Sequence, residues 1–114
     1  MSQFDHLTGI GRWFVGQQPT FTVRFFSEGV GALTDPTTVK FITRNPAGTE
    51  TVYTYGSSSE VTKTSTGIFK FAMPQLASTH VGSWTIRVNG TGVCIASHEA
   101  TFEVLDTEFA TPLP

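Results

Sequence analysis

The sequence has little of what a disulfide-stabilised, exported or membrane-spanning protein needs. It contains one cysteine, Cys94, which excludes a disulfide within the chain. No apolar run is long enough to span a membrane. The first residues lack a basic start followed by a continuous apolar stretch, so we expect no ordinary secretory signal. We therefore expect the chain to be made and to fold in a reducing cytosol.

Charged residues are also scarce, at 14% of the chain, and the formal net charge is −2. This composition excludes the strongly basic surface that is typical of proteins that bind nucleic acid or an anionic membrane. No Lys or Arg follows Arg87, whereas Glu99, Glu103, Asp106 and Glu108 do. We interpret this acidic end as a solvated strand edge and tail rather than as a surface for a basic partner.

The side chains that usually catalyse reactions or bind metals are few and scattered. The three histidines, His6, His80 and His98, do not pair with one another or with a cysteine at metal-ligand spacing. Cys94 and His98 are four residues apart, which on a strand is too far for a shared metal ion. Because Cys94 lies in an apolar run, we interpret it as a buried and unreactive side chain. We therefore predict no catalytic, cofactor-binding or metal-binding residues.

Runs of alternating apolar and polar residues are the main positive signal. In "TFTVRFF", the residues Phe21, Val23 and Phe25 fall on one face, as in a half-buried strand. Similar runs recur along the chain, which contains ten Phe and is rich in the Thr and Ser that suit strands and turns. The residues that share the inward phase form the predicted core: Phe21, Val23, Phe25, Val39, Phe41, Phe69, Phe71, Trp84, Ile86, Phe102 and Val104.

Turn sequences separate these runs at the spacing of a small all-β domain. The segment "DPTTVKFITRNPAGTETVYTYG" indicates a hairpin, because residues 45–48 place Pro where type I and II turns favour it. A second hairpin turns at residues 65–67, and we expect a short helical turn near Leu76. About seven strands result. Their number and spacing favour an immunoglobulin-like β-sandwich, with a partly closed barrel as the alternative.

Both ends of the chain lie outside this strand pattern. We predict an N-terminal arm over residues 1–16, the β-sandwich over 17–105 and an extended C-terminal tail over 106–114, where two prolines disfavour regular hydrogen bonding. Apolar side chains on such arms either fold back on their own domain or contact another chain. The candidate partner contacts are Phe4, Trp13, Phe14, Phe109 and Leu113.

The order of several short motifs resembles a group of small immunoglobulin-like proteins of tailed bacteriophages. The motifs are Asp-Pro-Thr-Thr at 35–38, Pro-Ala-Gly-Thr at 46–49, Tyr-Thr-Tyr-Gly at 53–56, Thr-Gly at 66–67, Gly-Ser-Trp at 82–84, Gly-Thr-Gly at 90–92 and Phe-Glu-Val at 102–104. The resemblance covers residues 19–105 and leaves both arms outside. It implies a multicopy structural protein of the virion, made in the bacterial host cytoplasm, that decorates the capsid, forms a collar at the neck or lies along the tail. The partners it implies are capsid, portal or connector proteins and copies of itself, without nucleic acid or membrane.

Two other functions remain open from the residues alone. A module that binds carbohydrate or a host surface would use Tyr53 and Tyr55, which share a strand face and offer aromatic rings for stacking. A packed cross-strand pair of aromatic side chains is the stronger explanation of these tyrosines. A small enzyme is the least favoured, because no group of catalytic residues is present. We expect a non-enzymatic protein.

Overall fold

A computed structural model describes residues 3–8, 11–26, 32–92 and 96–106 of the chain. These residues form nine β-strands and one short 3₁₀ helix at Ser78–His80. The strands are β1 (Gln3–Thr8), β2 (Arg12–Phe14), β3 (Thr20–Phe26), β4 (Thr38–Arg44), β5 (Glu50–Thr54), β6 (Val61–Ser65), β7 (Ile68–Ala72), β8 (Gly82–Thr91) and β9 (Ala96–Leu105).

The strands form two sheets that pack face to face. One sheet has the order β1-β3-β7-β6 and the other has the order β2-β9-β8-β4-β5. Neighbouring strands are antiparallel except β2 and β9, which are parallel. The first sheet matches the A-B-E-D sheet of an immunoglobulin sandwich, while β4, β8 and β9 match its strands C, F and G. The predicted β-sandwich is confirmed, and the two separate sheets argue against the barrel alternative.

The core lies between the sheets and is mainly aromatic. Every residue of the predicted core is buried, with no side chain more than 7% exposed. The ring of Phe71 lies 6.0 Å from that of Phe21 and 5.1 Å from that of Phe41, and both pairs are stacked. Burying one such side chain contributes roughly 1.5–3 kcal/mol. Also buried are Ile42, Val61, Met73, Leu76 and Val88.

The N-terminal segment differs from the expected arm. β1 pairs with β3 and β2 pairs with β9, so the described part of residues 1–16 supplies an edge strand to each sheet. The sequence pattern does not reveal these strands, because β2 has only three residues and the pairing of β1 is irregular between Phe4 and Leu7. Such an irregularity breaks the period of two. Residues 107–114 lie outside the described part, so the extended tail stays a prediction.

Trp84 closes the corner between β7 and β8. Its indole N–H donates a hydrogen bond of 2.8 Å to the carbonyl of His80, and its ring stacks on Phe102 at 5.8 Å. In immunoglobulin sandwiches a tyrosine near the start of strand F often closes this corner by bonding to the upstream backbone. Here Trp84 takes that place. The 3₁₀ helix that we expected near Leu76 lies just after it, and Leu76 itself is part of the core.

Replacing Trp84 with Phe should lower the free energy of unfolding by about 1–3 kcal/mol. The substitution removes the hydrogen bond to the His80 carbonyl and part of the ring that packs on Phe102. Urea denaturation monitored by circular dichroism measures the change. Tyr55→Phe is the control, because Tyr55 is 43% exposed and its hydroxyl loss should change stability by less than about 0.5 kcal/mol. Equal effects of the two substitutions would contradict the role assigned to Trp84.

Candidate partner-binding surface

Two of the predicted partner contacts, Trp13 and Phe14, lie on β2 at the edge of the five-stranded sheet. Trp13 points inward, where it is half-buried and its ring lies 6.3 Å from that of Phe21. Phe14 points away from the core and is 42% exposed. Trp13 therefore helps to close this side of the core, whereas Phe14 is accessible to a partner.

The backbone around Phe14 is fixed by hydrogen bonds. The N–H of Phe14 donates to Oε1 of Gln17 over 2.7 Å, and the N–H of Gln17 donates to the Phe14 carbonyl over 3.0 Å. The N–H of Val15 donates to the carbonyl of Leu105 over 3.0 Å. The register places Phe14 beside the half-buried Leu105 on the outer face. We call these two side chains the β2 patch; it is a small apolar surface on an ordered backbone.

The other predicted contacts cannot be added to the β2 patch. Phe4 lies on β1, where its backbone pairs with Phe25, but its side chain is not among those described. Phe109 and Leu113 lie beyond the last described residue, and Cys94 lies in the gap between residues 92 and 96. What we expect of these four side chains stays a prediction.

Tyr53 and Tyr55 lie on the opposite side of the same sheet and point towards the core. The ring of Tyr53 is 4.7 Å from that of Phe71, and the ring of Tyr55 meets that of Phe69 edge-on at 5.1 Å. Burial, together with the charge of Glu60, raises the pKa of the Tyr53 phenol. The packed arrangement therefore explains Tyr53, while Tyr55 keeps an accessible surface.

Asp35 links the connection before β4 to the hairpin of β6 and β7. One carboxylate oxygen accepts the N–H of Gly67 over 2.7 Å, and the other accepts the ammonium of Lys63. Gly67 has a φ of +75°, and a Cβ there would lie 2.9 Å from the carbonyl oxygen of Phe25. Only glycine fits such a position without strain. The sequence pattern placed Gly67 in a turn, but its contact with Asp35 depends on the tertiary structure.

The hydrogen bonds at Asp35 change the pKa of both partners. The bonds from Lys63 and from the Gly67 backbone lower the pKa of Asp35 below its ordinary value of 3.8. The bond to Asp35 raises the pKa of Lys63 above its ordinary value of 10.5. The carboxylate therefore stabilises the fold above pH 3.8, and this contribution is lost as the pH falls through the folded-state pKa. The contribution of Lys63 is present below pH 10.5 and is lost as the pH rises through its raised pKa.

A cleft of about 200 Å³ lies between the β4–β5 hairpin and the connection that follows β7. Its aromatic lining comes from Tyr53, Trp84 and His80, and its other walls are apolar side chains and the polar groups of the hairpin. The residues that line it are Thr43, Asn45, Thr49, Thr51, Tyr53, Met73, Pro74, Leu76, His80 and Trp84. Aromatic faces next to hydroxyl and amide groups suit a small polar ring.

Within residues 3–8, 11–26, 32–92 and 96–106, no three His, Cys, Asp or Glu side chains come close enough to bind one metal ion. His98 is exposed on β9. The same part of the chain has no helix with the length and apolar character needed to cross a membrane.

No protein-family model and no curated protein sequence matches the chain. Among solved structures, the chain is similar to part of chitinase ChiW from Paenibacillus sp. str. FPU-7, a cell-surface-expressed multi-modular enzyme, with a TM-score of 0.58 and 16% identity over 90% of this chain. The match spans 8% of the chitinase chain. The Ig1 domain of mouse SynCAM 2 matches with a TM-score of 0.49 and 13% identity, over 94% of this chain and 95% of that domain. The strand order defines an immunoglobulin-like β-sandwich module, and the chitinase similarity supports that fold alone.

Replacing Asp35 with Asn should make stability less dependent on pH in acid. Asn can still accept the Gly67 N–H but cannot pair with the Lys63 ammonium. The variant should unfold at lower urea concentration than the unmodified protein at pH 7, and the difference should shrink as the pH falls below 3.8.

Urea midpoints measured at pH 7 and at pH 2.5 test this expectation. Glu99→Gln is the matched control, because it breaks the exposed ion pair with Arg87 and should have little effect. A difference between Asp35→Asn and the unmodified protein that stayed constant across this range would show that the charge of Asp35 does not contribute.

Proposed function

We propose that the chain is a non-catalytic structural module of a tailed-phage virion, which binds head or neck proteins through the β2 patch. The observation that carries the proposal is the exposed Phe14, because an aromatic side chain held on an ordered strand edge is typical of a protein-binding contact. The ordered motifs over residues 19–105 supply the virion part of the proposal. The immunoglobulin-like fold suits a rigid docking module.

A small contact area per copy is compatible with this function. The β2 patch alone is far smaller than a typical stable interface. When many copies dock on one particle, each contact is supported by the contacts of its neighbours, so weak single contacts suffice. The predicted contacts Phe109 and Leu113 belong to the segment that directly follows β9, the strand that carries Leu105.

Replacing Phe14 with Ser should reduce incorporation into particles by about ten-fold, which corresponds to about 1.4 kcal/mol of binding free energy. The measurement is quantitative mass spectrometry of particles purified from cells infected with the phage that encodes the variant. Leu33→Ser is the matched control, because Leu33 is 38% exposed and bridges to Phe26 of the other sheet, away from the β2 patch.

Both variants should retain the circular dichroism spectrum of the unmodified protein, so that a loss of incorporation reports on docking. Absence of the unmodified chain from purified particles would overturn the virion proposal. Presence of the chain with equal incorporation of Phe14→Ser and Leu33→Ser would instead place the docking surface outside the β2 patch.

A second candidate function is the binding of a single sugar ring in the cleft beside Tyr53. The specific observation is the combination of an aromatic wall with the hydroxyls of Thr49 and Thr51 in a space of about 200 Å³. A sugar ring presents an apolar face that packs on aromatic side chains and hydroxyls that bond to polar groups. This function does not require a virion.

A glycan array tests this candidate. Selective binding should weaken in Thr51→Val, which removes one hydroxyl from the cleft and should not alter the fold. Thr62→Val is the matched control, because Thr62 is also exposed on a strand but lies on β6, outside the cleft. Failure of the unmodified protein to bind any glycan would reject the second candidate and leave the virion proposal standing.

A further inference from the structure

Edge strands expose unpaired backbone groups that can accept another strand, and proteins usually block them. Within the residues that the structure describes, four strands lie at sheet edges, and three of them carry such a block. The pairing of β1 is irregular, and β2 has only three residues. β6 is irregular between Lys63 and Ser65, and it carries a lysine, Lys63, which pairs with Asp35.

The remaining edge strand, β5, carries none of these features. It pairs with β4 in a regular register over all of Glu50–Thr54 and contains neither Pro nor Lys. Its central residue, Val52, is 54% exposed and lies beside Ile42 on the outer face. An exposed β-branched side chain on a regular edge is a favourable site for strand addition.

The hydrogen bonds at the two ends of β5 show which of its backbone groups face outward. Asn45 donates to the carbonyl of Thr49, and Tyr55 donates to the carbonyl of Val39, each over 3.0 Å. Because bonded and non-bonded pairs alternate in antiparallel sheets, Thr51 and Tyr53 bond to β4. The N–H and C=O groups of Glu50 and Val52 therefore point away from the sheet.

The far end of this open edge is closed by the turn after β5. The N–H of Thr54 donates to the hydroxyl of Ser58 over 3.0 Å, and the Thr54 carbonyl accepts the N–H groups of Ser57 and Ser58. The open stretch is thus short and centred on Val52. A short strand that pairs with β5 around Val52 would provide hydrogen-bond partners for the outward N–H and C=O groups of this stretch.

We propose that β5 pairs antiparallel with β5 of a second copy of this chain, about a two-fold axis at Val52, so that the two five-stranded sheets become continuous. Each Val52 then exchanges N–H···O=C bonds with the partner's Val52. Glu50 lies opposite the partner's Thr54, whose N–H and carbonyl are already bonded within the turn after β5, so the Val52 pair supplies the backbone bonds between the two copies.

The side chains on the outer face fit this register. β4 and β5 present three rows, which are Arg44 with Glu50, Ile42 with Val52, and Lys40 with Thr54. The two-fold axis joins the central rows into one apolar stripe. In each outer row, Arg44 and Glu50 of one chain are followed by the partner's Thr54 and then its Lys40, so no like charges lie opposite each other. This self-complementarity selects a second copy as the occupant.

The inward-facing side chains fit as well. Thr51 comes to lie opposite the partner's Tyr53, and the partly exposed ring edge of Tyr53 is thereby covered. The interface is small, so we expect a weak dimer that depends on protein concentration. The inference does not depend on the virion proposal, since it follows from the sheet edge alone.

Sedimentation velocity over a range of concentrations tests the dimer. The unmodified protein should shift from monomer to dimer, and Val52→Lys should raise the dissociation constant at least ten-fold. Val81→Lys is the matched control, because Val81 is a similarly exposed valine outside β5, and it should dimerise like the unmodified protein. A protein that stays monomeric at millimolar concentration overturns the proposal.

Crosslinking tests the register. In a Cys94→Ala background, Val52→Cys should form a disulfide-linked dimer under mild oxidation, since directly opposite Cα atoms lie about 5.5 Å apart, within disulfide range. Val81→Cys in the same background should crosslink much less. Equal crosslinking of the two variants overturns the register. Deletion of residues 107–114 should leave the dimer intact. A deletion variant that stays monomeric would show that dimerisation needs the tail, and it would overturn the proposal.

Discussion

The contact of Phe71 with its neighbours is the interaction on which the rest of the structure depends. Its ring stacks on Phe21 of its own sheet and on Phe41 of the other sheet, and it also meets Tyr53. With one cysteine in the chain, no internal disulfide ties the sheets together, so aromatic packing must hold them at their separation. Strands of both sheets are aligned by inward residues that belong to this layer, as Phe21 on β3 and Phe41 on β4 are.

The sequence pattern predicted the sandwich and its core because inward residues of long strands recur with a period of two, as Phe69 and Phe71 do on β7. Short or irregular strands do not show this period, and β1 and β2 were accordingly expected to be arms. The bond from Gly67 to Asp35 joins residues that are far apart in the chain, so no local pattern indicates it. The exposure of Phe14 likewise depends on which face of β2 meets the core, and a strand of three residues does not reveal that.

The two surfaces discussed for binding lie at opposite edges of one sheet. The β2 patch belongs to one edge of the order β2-β9-β8-β4-β5, and Val52 belongs to the other. A module with this layout can bind a foreign protein at one edge while it pairs with a copy of itself at the other. The outer face between them carries charges of both signs, such as Arg87 and Glu99, which favour contact with water over contact with another protein. The arrangement thus separates the two kinds of contact across the width of the sheet.

The parallel pairing of β2 with β9 gives the fold a particular response to mechanical load. The bond from Glu103 to Gly11 and the bond from Val15 to Leu105, at 2.8 and 3.0 Å, lie at the two ends of this short ladder. Tension applied between the start of β2 and the end of β9 pulls the strands past each other. The hydrogen bonds between the two strands are then loaded together, in shear, and do not break one after another. A pull along the chain is therefore resisted by the whole ladder at once, although it contains only three residue pairs.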